Sequence, residues 1–402
     1  MKKILFVAAS AILLAAGCQK TEVLNQAVGD PMTFSTGMAK LTKSATADGY
    51  QNLDTQDFQV WAYTAYNDDL NGVQPGHIYE DINGISVDYD NQAKSCTTDE
   101  DYYWPGSGLK LDFFAISSAN PLTTASSAVP ADETGDGTDD GTTGSDNTGN
   151  ENPTTDFTVS FENPGQAIGQ RKMKLTGYSV TAATTDAGAD DDLMVADFVR
   201  QDQAMGTPAK SVSLNFHHAL SKVRFKFITT KDNTTKEIVT VKSLKVEGLK
   251  IKGDLTVTEK GTTPDNTTGK NTVELTWDNK SGNATFGKTF TNFTLDTDTE
   301  WEKTKTYHAT WLVLPQTIDN VNVEIEYSIK NTETSKIVED KRLFPLTRKA
   351  SGEGEDAVSA FNEWGINKIT TYTINISPNK ISFNPSVEDW DTAGETNIGQ
   401  EN

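Results

Sequence analysis

Along much of this chain apolar and polar residues alternate with a period of two. That pattern turns one side chain towards a core and the next towards water, as in a half-buried strand. The clearest case is residues 212–227, V-S-L-N-F-H-H-A-L-S-K-V-R-F-K-F. Val212, Leu214 and Phe216 share one face of the first arm. Val223, Phe225 and Phe227 share one face of the second, with Lys222, Arg224 and Lys226 opposite. The parity changes between the arms, which predicts one extra residue near His218 and Ala219, as a bulge or as a crossing from one sheet to the next.

The same period predicts strands elsewhere. Met32 and Phe34 mark a short first strand, Phe58, Val60 and Ala62 a second, and Leu109, Leu111, Phe113 and Ala115 a strong one. Asn83-Gly84 between two apolar runs is a hairpin signal. Phe157, Val159 and Phe161 follow, then a weaker run at 175–180 and Leu193 to Ala196. Beyond residue 212, strands are predicted at 239–246, 249–257, 273–277, 310–315, 321–329, 369–376 and 381–383. Val321, Val323, Ile325, Tyr327 and Ile329 alternate cleanly with polar residues, so that strand has one face in the core and one in water. No long amphipathic helix is predicted. Thr, Asn, Asp and Gly are abundant, and the chain reads as all-β with many turns. About seven short strands on each side of a loop-like stretch at 201–210 suit two sandwich domains of Greek-key character.

Two segments stand outside that pattern. Residues 121–153 are low in complexity, rich in Gly, Thr, Asp and Ser, and read as a disordered insertion that cannot bury enough apolar surface to offset its ordering. Asp136, Thr138, Asp140 and Gly141 imitate the start of a calcium loop, but the twelfth position falls on Asn147, where a bidentate Glu is needed. Residues 1–18 carry Lys2 and Lys3, a short apolar run and L-A-A-G-C, which reads as a bacterial lipoprotein signal ending at Cys18, the sulfur that would take the lipid. Cys96 is then left without a partner, so no disulfide framework is expected. Asp99, Glu100 and Asp101 beside it would disfavour a thiolate.

The formal net charge of −22, from 57 acidic and 35 basic residues, argues against nucleic acid or an anionic membrane face as a partner. The chain has four histidines, and the adjacent pair His217 and His218 points to opposite faces of a strand. No metalloprotease, C-x-x-C or nucleophile-elbow motif occurs. Gly269-Lys270 resembles the end of a P-loop, but Pro264 occupies the first glycine position. Asp190, Asp191 and Asp192 read as a solvated turn. Neither an enzyme, a metal nor a cofactor is therefore expected. Tyr102, Tyr103 and Trp104 could present an aromatic platform to a sugar, although packing under a loop is the commoner use of such residues.

F-H-H-A-L-S-K-V-R-F at 216–225 resembles the F-x-H-A-L-S-K-hydrophobic-x-F signature of the fimbrillin-like proteins of Bacteroidetes, which form or anchor surface pili. The lipoprotein signal, D-L-M-V-A at 192–196 and V-E-D-W at 387–390 fit the same family in the same order. The resemblance implies two transthyretin-like sandwich domains in tandem, here 19–205 and 206–402, on the outer membrane. It also implies a subunit that joins others when a strand of one completes the sheet of the next. On that analogy residues 32–38 are the leaving strand, and 369–376 and 381–390 are the donor candidates. The family's processing after arginine has no counterpart near the first strand, because the first arginine is Arg171; Lys40 and Lys43 are the candidate replacements. A lipid-anchored, non-polymerising adhesin or glycan binder is the alternative.

Overall fold

The computed structural model describes residues 31–36, 57–65, 75–90, 95–105, 109–118, 157–181, 192–201, 211–229, 236–261, 270–295, 307–350, 360–377 and 380–390. The alternating stretches become strands, and no helix occurs among the described residues. In chain order the first group is β1 (Thr33–Thr36), β2 (Phe58–Thr64), β3 (Ile78–Asp90), β4 (Ser95–Thr98), β5 (Leu111–Ser117), β6 (Thr158–Glu162), β7 (Lys172–Ser179), β8 (Met194–Ala196) and β9 (Phe198–Gln201). The run at 212–227 supplies β10 (Ser211–Leu214), β11 (Phe216–His218) and β12 (Ser221–Ile228). Next come β13 (Glu237–Leu249), β14 (Lys252–Glu259), β15 (Lys270–Asn271), β16 (Val273–Ser281), β17 (Ala284–Thr294) and β18 (Ala309–Val313). The last are β19 (Gln316–Thr317), β20 (Asn322–Asn331), β21 (Ile337–Pro345), β22 (Glu363–Trp364), β23 (Lys368–Ser377) and β24 (Lys380–Asp389).

The all-β expectation is met, with the strands in several sheets, of which two pairs lie face to face. In the first, the path β11-β8-β5-β2-β3-β4, joined by β9 and β15, lies over the sheet β16-β14-β7-β6. Trp61, Tyr63 and Phe114 meet Phe161 between these sheets at ring separations of 5.4, 5.2 and 5.0 Å. In the second, β18-β12-β23-β24 lies over β17-β13-β20-β21, with Phe286 edge-on to Trp311 at 5.9 Å. One buried apolar cluster runs through both. Such aromatic contacts prefer tilted and edge-on geometry because the ring face is negative and its rim positive.

The parity change in the run at 212–227 is a sheet crossing. β10 pairs with β1, β11 with β8, and β12 with β18 and β23, so one short segment serves three sheets. The expected division at 205/206 is crossed by hydrogen bonds. β14 from the second half pairs with β7 from the first, β15 with β9, and β10 with β1. The hairpin of β14 and β16 thus completes the first sandwich.

Asn83-Gly84 does not make a hairpin. β3 runs straight through it, and the register against β2 steps from Val60 opposite Ile85 to Trp61 opposite Asn83. Gly84 has φ +76°, and a Cβ there would meet the Trp61 ring at 3.1 Å. The glycine serves a bulge beneath an indole, and the local signal alone does not separate a bulge from a turn.

His308 sits in the second sandwich, 4.5 Å from the Phe293 ring, and its Nδ1 accepts the backbone N–H of Phe227 at 2.9 Å. That bond requires Nδ1 without a proton. Burial, helped by Lys288 and Lys226, pulls the imidazole down to about 4. The folded pKa lies below the unfolded value near 6.5, so this contribution is intact above 6.5 and is lost as pH falls towards 4. The expected loss is about 2–3 kcal/mol between pH 7 and 4.5. His308→Gln should make the decline of denaturant-measured stability over that range shallower by that amount; equal slopes would show that His308 is not the titrating group.

Candidate functional site

β1 is short, the first strand among the described residues, and paired along its length on one side only. Thr33 and Thr36 are β-branched and favour extension, while Met32 and Phe34 between and before them are both 5% exposed. Its strand partner is β10, in parallel register from Thr33 opposite Ser211 to Thr36 opposite Leu214. On the other side Met32 N donates to Tyr102 O at 2.6 Å, next to an isolated bridge between Pro31 and Tyr103. Phe34 stands edge-on to Phe113 at 6.3 Å in a second, smaller apolar cluster that includes Val212, Leu214 and Trp104. Burial of Met32 and Phe34 contributes roughly 1.5–3 kcal/mol each, which makes these two side chains the main fastening of β1. Its departure would uncover the edge of β10 and a seat shaped for two apolar residues spaced two apart.

At the other end of the chain the two donor candidates differ. β23 is the inner strand between β12 and β24, with Ile369, Tyr372, Ile374 and Ile376 buried. Tyr372 OH takes the Trp364 indole N–H at 3.1 Å and reaches Leu346 O at 3.3 Å. Withdrawing β23 would dismantle the second sandwich. β24 is an edge strand paired to β23 alone, with Ile381 and Phe383 half-buried and alternating.

The three sequence motifs meet at the end of β24. His218 Nδ1 lies 3.0 Å from Asp192 Oδ1, and its ring stacks on the Trp390 indole at 3.8 Å with 7° between planes. Lys222 Nζ lies over the same indole at 5.3 Å, and Trp390 N donates to Asn367 O at 3.0 Å. D-L-M-V-A, F-H-H-A-L-S-K and V-E-D-W therefore form one clasp that fixes where β24 ends. His217 turns the other way, to Asp197 at 2.9 Å, as their adjacency on a strand predicts. Among the described residues no three His, Cys, Asp or Glu side chains are grouped to hold a metal.

The remaining candidates are dispersed. Trp104 is 2% exposed and packs edge-on to Phe113 at 5.9 Å, so it has no free face for a sugar. Tyr102 and Tyr103 are half-buried, and Tyr103 O accepts the Tyr79 hydroxyl at 2.9 Å. This takes Trp104 out of the platform: its indole lies in the apolar cluster that also holds Met32 and Phe34 of the first strand region. The Cys96 thiol is half-buried, and burial pushes it up to about 11, against a backbone hydrogen bond from Thr36 that acts to lower it. Cys18, Lys40, Lys43 and the insertion at 121–153 lie outside the described residues. No helix among the described residues is long and apolar enough to cross a membrane.

Arg171 is buried completely. Its guanidinium binds Asp112 on β5 at 2.6 Å and Glu259 on β14 through two bonds, one of 2.9 Å. Arg200 adds 2.7 and 2.8 Å bonds to Asp112, and Asn271 a 2.6 Å bond to Glu259. Burial acts to lower the Arg171 pKa, but the two carboxylates outweigh it and hold the pKa above its ordinary value. In the sequence Arg171 stands out only as the first arginine; its partners lie 59 and 88 residues away, beyond any local pattern.

The fold and site define an all-β protein whose first described strand is seated against a strand from mid-chain. The chain belongs to the fimbrillin-like family, whose sequence profile matches residues 42–390. Membership makes it a fimbrial-type protein of the cell surface. Similar solved structures include a fimbrial protein from Bacteroides vulgatus, at 15% identity and TM-score 0.47, covering 90% of this chain and 99% of that one. A candidate cell adhesion protein from Bacteroides uniformis shows 13% identity and TM-score 0.40, covering 90% and 98%. No curated protein matches the chain.

Proposed function

We propose that this chain is an adhesive, structural subunit of surface fimbriae, not an enzyme, and that it joins its neighbours by strand exchange. In this reading β1 leaves its seat and a strand from another copy takes its place beside β10. The observation that carries it is the attachment of β1: one parallel strand neighbour, two buried apolar side chains, and on the other side the contacts of Pro31 and Met32 with Tyr103 and Tyr102 and of Thr36 with Cys96. Edge addition of this kind takes affinity from backbone hydrogen bonds and register from alternate side chains. β24 is the better donor, because it has one partner and because Ile381-Ser382-Phe383 repeats the spacing of Met32-Thr33-Phe34.

Lipidation at Cys18 and cutting after Lys40 or Lys43 belong to the same reading, as do other fimbrial subunits as partners and the outer membrane as the site of anchoring. The intact mass of the protein recovered from cells separates an anchored form, starting at acylated Cys18, from a polymerising form starting past Lys40 or Lys43. The exchange itself is tested by removing residues 1–38 and adding a peptide of residues 378–390. Stable peptide binding, with oligomers when it is omitted, is the expected result. A truncated protein that stays folded, monomeric and without affinity for the peptide would refute strand exchange.

A further inference from the structure

Among the described residues β21 is an unpaired edge of the sheet β17-β13-β20-β21. It pairs with β20 over its 9 residues without a bulge, from Lys330 opposite Ile337 to Asn322 opposite Pro345. Edges this long and regular invite another strand, and proteins commonly break them with bulges, inward charges or proline. Here Ile337, Val338 and Leu343 are 57%, 52% and 60% exposed. Asn331 N donates to Lys336 O at 2.9 Å and Leu346 N to Val321 O at 3.1 Å. Even-numbered residues of the strand therefore turn their backbone groups to β20, and Ile337, Glu339, Lys341 and Leu343 turn theirs to the open edge.

This edge is its own complement about Asp340. When two copies pair antiparallel about a twofold axis, residues opposite each other share a face. The register centred on Asp340 sets Ile337 across from Leu343 and Glu339 across from Lys341, each twice. Apolar meets apolar and opposite charges face each other, and the residues that pair are those whose backbone groups face the open edge; the N–H of Lys341 now donates to Asp340 Oδ1 at 2.8 Å, a bond that pairing exchanges for one to the second copy. Centring on Lys341 would oppose two lysines and place Pro345, which has no N–H, across from Ile337. Centring on Glu339 would oppose two glutamates. On the inner face this register also opposes two like charges, the Asp340 pair, but each Asp340 carries its own counter-charge on the same strand, since Arg342 Nε donates to Asp340 Oδ2 at 2.8 Å. Lys341 is held by Glu324 at 2.8 Å and Glu339 by Lys242 at 2.6 Å, so the outer charges are already ordered along the edge.

We propose that a second copy of this chain is the partner of β21, paired antiparallel in the register centred on Asp340, so that two 4-stranded sheets become one continuous sheet. The contact uses an edge other than the β1 seat and leaves β1 in place, so lateral pairing and strand exchange can occur in the same molecule. A single strand edge is a small interface, and the association is of the weak, concentration-dependent kind.

Sedimentation of the purified protein over a concentration series tests this. The parent protein is expected to dimerise. Glu339→Lys and Lys341→Glu each place like charges in both outer pairs and should weaken the dimer by about tenfold or more. Mixing these two variants restores Glu across from Lys in every outer pair, so the mixture should form the heterodimer at parental strength. Both residues are exposed, and circular dichroism verifies that the variants fold. A parent that remains monomeric into the millimolar range, self-association unchanged in both single variants, or a mixture no stronger than either variant alone would each overturn the proposal.

Discussion

Arg171→Met should lower the unfolding free energy by about 3–5 kcal/mol, because breaking a buried ion pair from one side leaves a charge in the core without its partner. The two carboxylates fare differently. Asp112 keeps Arg200 and the backbone N–H of Gly165 at 2.8 Å. Glu259 keeps only Asn271 and the N–H of Gly169, at 2.6 and 2.7 Å. The cost therefore falls mainly on Glu259, on β14, and the sheet β16-β14-β7-β6 should loosen first. Adding Glu259→Gln to Arg171→Met removes the stranded charge and should recover part of the loss. Arg200→Met should cost less than Arg171→Met, since Asp112 would still be bound by Arg171. Denaturant unfolding of the four proteins checks the order; a double variant less stable than Arg171→Met would show that the charge on Glu259 is not what is left uncompensated. Against a total stability of about 5–15 kcal/mol for a domain, a loss of this size decides whether the protein folds.

This network and the clasp mark where the sequence ceased to be legible. Strands such as β5, β12 and β20 could be read because one face is buried and the other wet, and a period of two survives in the residues themselves. Partnership leaves no such trace. Nothing near Leu175 says that it faces Leu255 across a sheet, and nothing near Arg171 points to Asp112 or Glu259. The parity change at His218 did predict either a bulge or a crossing, since a chain cannot change its inward face without one of them, and the structure has the crossing. The three family motifs were legible as an ordered set, but the stack of His218 on Trp390 that unites them was not. The position of Trp104 depended on whether its indole packs beside Phe34 and Phe113 or faces solvent, which tertiary packing decides.

Phe34→Ala carries the second large expectation, and its point is that the loss should be local. Deleting a buried phenylalanine ring commonly costs about 3–5 kcal/mol when the whole domain must bear the cavity. β1 gives the molecule another course, because it can detach from β10 while the sheets beyond it stay closed. The cost is then limited to the docking free energy of one four-residue strand. The midpoint of global unfolding should hardly move, while the amides of Val212 and Leu214 on β10 should exchange faster. Phe113→Ala opens the same contact from inside β5, where no local release is available, and should lower the global midpoint by the full amount. Detachment also frees the seat. If β1 docking weakens by about 3 kcal/mol from a state in which the seat was mostly filled, a peptide of residues 378–390 should bind Phe34→Ala up to roughly 100-fold more tightly than the parent. Equal midpoint losses for Phe34→Ala and Phe113→Ala would mean that β1 is part of the cooperative core. In that case the first strand could not act as a replaceable element, and another edge of the molecule would have to carry assembly.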